Sequence, residues 1–169
     1  MSNSPSIVSM GEPLIEFNRP KEGDGRTWLQ GFGGDSQNVV IASTRQGARS
    51  GYVTSLGQDW MGDAFLDLWK TEGLDASRVT RHPTAPTGVS FVTHSASGHK
   101  FDYLRKNSAA SLLQPSDVPA DYIKGARFFH IACGGGGGLR GFGLRGHRGW
   151  FARRRLRRRA EHPDHADPV

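Results

Sequence analysis

The sequence predicts an α/β fold of parallel βαβ units that carries a second, smaller β layer. Three observations predict it. Short apolar runs ending in glycine alternate with amphipathic stretches over residues 1–132, the order of a parallel sheet with crossover helices. Met61, Phe65, Leu68 and Trp69 recur at helical spacing between glycine-bounded strands. A tight-turn hairpin pattern follows, and such a turn joins only antiparallel strands, so that hairpin belongs to a separate layer.

The elements follow in order. Ile7-Val8-Ser9-Met10-Gly11 reads as a first buried strand, which Leu14-Ile15-Glu16-Phe17 extends or pairs. Residues 18–26, with Pro20, Gly23 and Gly25, form a loop. Trp28-Leu29 returns as a short edge strand, Gly31-Phe32-Gly33-Gly34 follows, and a helix then runs over about 36–46. Asp35 or Ser36 can cap that helix and Gly47 ends it. The run 51–57 is the next strand, and the helix containing Met61 to Trp69 stops at Gly73. Residues 77–81 form a short strand. The hairpin pairs 87–93 with 100–105 across a turn at 95–98. Pro115 starts a short helix running to about Lys124, and 127–132 is a last buried strand.

At Cys133 the polymer changes character. From there the chain reads CGGGGGLRGFGLRGHRGWFARRRLRRRAEHPDHADPV, without Ser, Thr, Asn, Gln, Lys, Ile or Tyr. This segment holds nine Arg against Glu161, Asp164 and Asp167, a net of +6 that equals the net charge of the whole chain. Residues 1–132 therefore carry thirteen basic and thirteen acidic side chains. The basic pI belongs to the tail, and the body gives no electrostatic support for a nucleic-acid partner. The division expected is a domain over 1–132 and a disordered, Gly/Arg-rich tail over 133–169.

Several function classes drop out. Cys133 is the only cysteine, which excludes an intramolecular disulfide and a cysteine metal site. The seven His lack the close spacing of a metal motif. The N-terminus has neither a basic region nor a long apolar run, so no signal peptide is expected. No run of 18 apolar residues exists to span a membrane. A cytoplasmic location is expected. Gly136, Gly138 and Gly141 fit a dinucleotide-binding spacing, but a pure glycine run satisfies it trivially and no apolar helix follows.

Residues 31–79 carry a more specific pattern. Gly33-Gly34 precedes Asn38 at a helix entry, and a strand then ends in Gly57-Gln58-Asp59. This resembles the N-terminal signature of the PfkB (ribokinase-like) sugar kinases. Gly11-Glu12, the form Gly33-Gly34-Asp35, and Tyr103-Leu104-Arg105-Lys106-Asn107-Ser108-Ala109-Ala110 resemble the 2-keto-3-deoxygluconate kinases within that family. The resemblance covers about residues 7–132. It implies a ribokinase-like α/β/α sandwich with a small β-sheet lid made of strands around 14–30 and 87–105. It also implies ATP-dependent, Mg²⁺-assisted phosphorylation of a sugar acid, and a homodimer through the lid in the intact family.

The residue types suit that chemistry. Two glycines let backbone approach a polyhydroxy ligand closely. Asp35 accepts hydrogen bonds from hydroxyls, and Asn38 both donates and accepts. Arg105 offers a planar fork to a carboxylate. Tyr103 can pack on the ligand and bond it, and Ser90 stands where the sugar-acid kinases often carry a tyrosine. The substrate residues implied are thus Gly33, Gly34, Asp35, Asn38, Ser90, Tyr103 and Arg105. Each also has an ordinary structural reading: Gly33-Gly34 as a turn, Asn38 as a first-turn helix residue, Arg105 as a solvated charge.

The family's catalytic base is the Asp of a Gly-Ala-Gly-Asp motif in its C-terminal half, and this sequence contains no such motif. Asp35 sits at the substrate position and is not that base. The fold is expected to be truncated before the ATP-binding half, so no ATP or Mg²⁺ site and no kinase activity are expected of the chain alone. A reading-frame shift in a GC-rich gene would produce such a tail. The competing function class is a nucleic-acid-binding protein acting through Arg residues interleaved with Phe142, Trp150 and Phe151.

Overall fold

The computed structural model describes residues 4–132 and 150–153. Nine strands, three α-helices and two short 3₁₀ turns are described. The strands are β1 (Ile7–Gly11), β2 (Leu14–Asn18), β3 (Leu29–Gly33), β4 (Ser50–Gly57), β5 (Asp75–His82), β6 (Gly88–Ser95), β7 (Gly98–Leu104), β8 (Phe128–Ala132) and β9 (Trp150–Arg153). The helices are α1 (Asp35–Arg45), α2 (Trp60–Glu72) and α3 (Ala120–Gly125).

The strands divide into two sheets. The larger has the order β5-β4-β1-β8-β9, and the smaller the order β3-β2-β6-β7. In the larger sheet β1 lies parallel to β4 and β8, and β4 parallel to β5. These are the predicted βαβ units. β9 runs antiparallel beside β8. It is the part of the expected disordered tail that the structure describes, and the rest of 133–169 lies outside the described residues. In the smaller sheet the predicted hairpin pairs β6 with β7 across Ala96-Ser97, and β2 joins it parallel to β6.

Alternation along the central strands divides the core in two. Tyr52 and Leu56 point to one face of β4 and pack with Val40 of α1 and Phe65 and Trp69 of α2. Val53 points to the other face and joins Val8, Met10 and Ile131, with Tyr122 and Ile123 of α3 packed against them. The result is an α/β/α arrangement of three layers. Ile15 of β2 is fully buried in the first cluster, which seats the lid sheet against it.

Three local expectations need correction. The short edge strand expected at Trp28-Leu29 instead runs from Leu29 through Gly33 as β3, because the antiparallel register opposite Leu14, Ile15 and Glu16 overrides the weak strand propensity of glycine. Neither Asp35 nor Ser36 caps α1. Gly34 is the N-cap, at φ 107°, without a side-chain cap. A Cβ there would stand 2.5 Å from the Glu12 carbonyl oxygen, and that φ itself favours glycine. The helix expected from Pro115 to about Lys124 is interrupted. A 3₁₀ turn (Pro115–Asp117) is separated from α3 by Val118 in extended conformation, which the following Pro119 favours.

Candidate functional site: the base of the lid

Glu12 stands where the chain leaves β1 for the lid. Its Oε1 accepts a hydrogen bond of 2.5 Å from the Ser108 hydroxyl, and its Oε2 is paired with the Arg105 guanidinium. Both side chains are largely covered, at 9% and 28% exposure. Burial pushes the Glu12 carboxyl above its ordinary value, and Ser108 and Arg105 pull it back only in part. Arg105 also lies over the Tyr103 ring, 5.9 Å from its centroid. The guanidinium expected to meet a ligand carboxylate is thus held by an internal one.

The lid presents a row of polar side chains on one face. Gly31, Glu16, Ser90 and Tyr103 are successive partners in register across β3, β2, β6 and β7, so they share that face. Gly88 lies on the same side of β6, and a Cβ there would stand 2.6 Å from Glu12 Oε1. The row therefore continues the surface that holds Glu12. Ser90 is buried and Tyr103 about half exposed (3% and 49%).

The first turn of α1 is placed by buried polar contacts. Ser36 and Tyr52 hydroxyls share a 2.6 Å hydrogen bond. Trp69 Nε1 donates to Gln37 Oε1 at 3.1 Å, while Gln37 Nε2 donates to Asn38 Oδ1 at 3.2 Å and to the Gly33 carbonyl at 3.4 Å. Gln37 thus ties a core tryptophan to two predicted site residues. Asp35 and Asn38 are solvent-exposed on this turn, where a helix N-terminus favours anionic or hydroxyl ligands. Beneath them Ser9 Oγ and His130 Nδ1 lie 2.8 Å apart. Burial lowers the His130 pKa, and the Asp35 charge opposes that shift.

The structure joins Gly34 to Arg105 through Glu12, and sets Ser90 and Tyr103 in one row. Asp35 and Asn38 lie on the first turn of α1. Gly57-Gln58-Asp59 serves as a staple. Asp59 caps α2 by accepting from Gly62 N–H at 2.8 Å, and it accepts from the Thr87 N–H and hydroxyl at 2.8 Å each. Thr87 Oγ1 in turn accepts from Gly57 N–H at 3.0 Å. Burial pushes the Asp59 carboxyl up, but the Thr87 and Gly62 hydrogen bonds and the Arg81 charge outweigh it and hold the group below its ordinary value.

Residues 4–134 match the family model described as pfkB family carbohydrate kinase. The chain belongs to this family. Fructokinase-2 of Solanum habrochaites is 39% identical over 134 residues, covering 76% of this chain and 41% of that protein. The 2-dehydro-3-deoxygluconokinase of Bacillus subtilis (strain 168) is 34% identical over 129 residues, covering 73% of this chain and 40% of that protein. The crystal structure of fructokinase with bound ATP from Xylella fastidiosa matches with a TM-score of 0.67 at 29% identity, over 76% of this chain and 42% of that one. The expected ribokinase-like α/β fold with its lid is therefore the fold observed. The chain spans about two fifths of the length of the curated relatives it matches.

The donors at this pfkB site are an ion pair, hydroxyls and a helix N-terminus. Donors of this kind suit hydroxyl groups. Among the described residues no group of three or more His, Cys, Asp or Glu side chains could hold a metal ion. No helix among the described residues is long and apolar enough to cross a membrane. Glu12, Glu16, Asp59 and Thr87 were not among the predicted contact residues. The acid directly after the first strand's glycine was the visible signal for Glu12, and the Gly-x-Asp element the signal for Asp59.

Proposed function

We propose that this chain is the substrate-binding and lid half of a pfkB-family kinase acting on a sugar acid of the 2-keto-3-deoxygluconate type. One observation carries the reading: Arg105 stands at the lid base beside the Tyr103, Ser90 and Glu16 row, where the planar fork of a guanidinium matches a carboxylate in bidentate fashion. Gly33, Gly34, Asp35 and Asn38 would meet the sugar hydroxyls. In the whole kinase the phosphoryl donor would be ATP with Mg²⁺. The 169-residue chain is expected to bind without turning over.

A second reading is a neutral ketose, which the 39% identity to a fructokinase favours. Titration calorimetry of the 169-residue chain with 2-keto-3-deoxygluconate and with fructose separates them. The sugar acid is expected to bind, and Arg105→Ala to weaken it by about ten-fold or more. Fructose binding that is indifferent to Arg105→Ala would establish the ketose reading. A nucleic-acid function of the tail predicts instead RNA binding that is lost when 133–169 is deleted.

A further inference from the structure

Among the described residues the chain passes between the α/β layer and the lid four times, and each passage touches Glu12. The first passage is Glu12 itself, between β1 and β2. The second is Gly34, which packs against the Glu12 carbonyl so closely that a Cβ would stand 2.5 Å from it. The third is Gly88, where β6 begins and where only a missing side chain leaves room for Glu12 Oε1. The fourth is the exit from β7, where Arg105 and Ser108 both bind the Glu12 carboxylate.

A carboxylate at this point has two effects. It ties the lid's outgoing strand to its incoming one across 96 positions of sequence. It also neutralises Arg105, the cation that a ligand carboxylate would need. A buried guanidinium gains by exchanging one carboxylate for another only if the carboxylate left behind keeps a partner. Glu12 keeps one, because the Ser108 hydroxyl bonds the other oxygen.

We infer that Glu12 is a positioning and specificity-determining residue: it latches the base of the lid through Arg105 and Ser108, and yields Arg105 to the carboxylate of an incoming sugar acid. The latch rests on the geometry alone, and the exchange rests on the sugar-acid reading above. The latch makes an acid ligand, unlike a neutral sugar, able to loosen and re-form the lid base as it binds.

Two measurements on the 169-residue chain test this, using Glu12→Gln, which keeps the shape and the Ser108 bond, and Arg105→Gln, which removes the other partner. In amide hydrogen exchange both variants are expected to exchange several-fold faster in β6 and β7, with β4 unchanged, and the double variant no faster than either single one. Unchanged lid exchange, or effects that add, overturns the latch. In calorimetry Glu12→Gln is expected to bind 2-keto-3-deoxygluconate at least about five-fold more tightly than the unmodified chain, with fructose affinity unchanged. Equal sugar-acid affinity in the two proteins overturns the exchange while the substrate reading stands. No sugar-acid binding in either protein overturns the substrate reading and the exchange with it, and leaves the latch to the exchange-rate result.

Discussion

Strand β4 buries all eight of its residues, whereas strand β7 exposes all seven. The two sheets they belong to are held by different forces. Around β4 the stability is hydrophobic: Tyr52, Leu56, Phe65 and Trp69 are fully buried in one cluster, with edge-to-face contact between Tyr52 and Trp69 at 5.1 Å. Around β7 the apolar side chains of Phe101, Tyr103 and Leu104 stay exposed, and beyond the seat of Ile15 in the core the lid is fixed at its base by Glu12 with Arg105 and Ser108, and by Asp59 with Thr87. A close-packed layer has one arrangement. A sheet tethered by a few polar contacts can move about them, which is what a lid over a ligand requires.

The largest break in this comparison comes from the buried side. Trp69→Ala removes a fully buried ring and leaves Gln37 Oε1 without its donor. The expected cost is about 3–5 kcal/mol in urea unfolding. Gln37 also bonds Gly33 and Asn38, so ligand affinity should fall as well. A loss below ~1 kcal/mol would show that the layer is not held as described.

The next break is at the tether. Thr87→Val keeps the volume but removes the hydroxyl that bonds Asp59 and accepts from Gly57 N–H. Each buried group left unpaired costs on the order of 1–3 kcal/mol, and the expected local effect is faster amide exchange through β6 with α1 unaffected. Equal acceleration in β6 and α1 would mean that lid and layer unfold as one.

The two tether carboxylates respond to pH with opposite sign. Asp59 is held below its ordinary value of 3.8, so its contribution is complete above that value and is lost as pH falls through the lower folded-state pKa. Glu12 is held above its ordinary value of 4.5, so its contribution is complete below 4.5 and is lost as pH rises through the higher folded-state pKa. In unfolding measured from pH 3 to pH 6, Asp59→Asn should flatten the acid-side loss, while Glu12→Gln should flatten the opposing slope. Profiles that shift in the same direction would remove the distinction between the two tethers.

The parallel layer was legible because its signals are local. Glycine-bounded apolar runs gave β1, β4 and β8, and Met61 to Trp69 gave α2. The lid's outline was legible for the same reason, as β6 and β7 alternate about a tight turn. What local pattern missed was set by distant partners. β3 reads as no more than Trp28-Leu29 until Leu14 to Asn18 pairs with it. The Glu12 latch unites residues 96 positions apart, and the Asp59 staple residues 28 apart. The predicted site shows the same division. The family pattern singles out Gly34 and Arg105, but no sequence spacing shows that Glu12 holds Arg105.

The smallest effect belongs to the lid's outer stretch. Phe101 is 45% exposed and lies between His99 and Tyr103, with ring centroids 5.1 and 6.2 Å away. Were this row a second core, Phe101→Ser would cost as much as a buried aromatic. With this outer row left exposed and the lid held at its base and by Ile15, the substitution should change stability by less than about 0.5 kcal/mol. It should leave exchange in β4 and α2 unaltered and weaken ligand binding only as far as Tyr103 shifts with it. A cost above ~2 kcal/mol in urea unfolding would show that the aromatic row, rather than the tethers, holds the lid together.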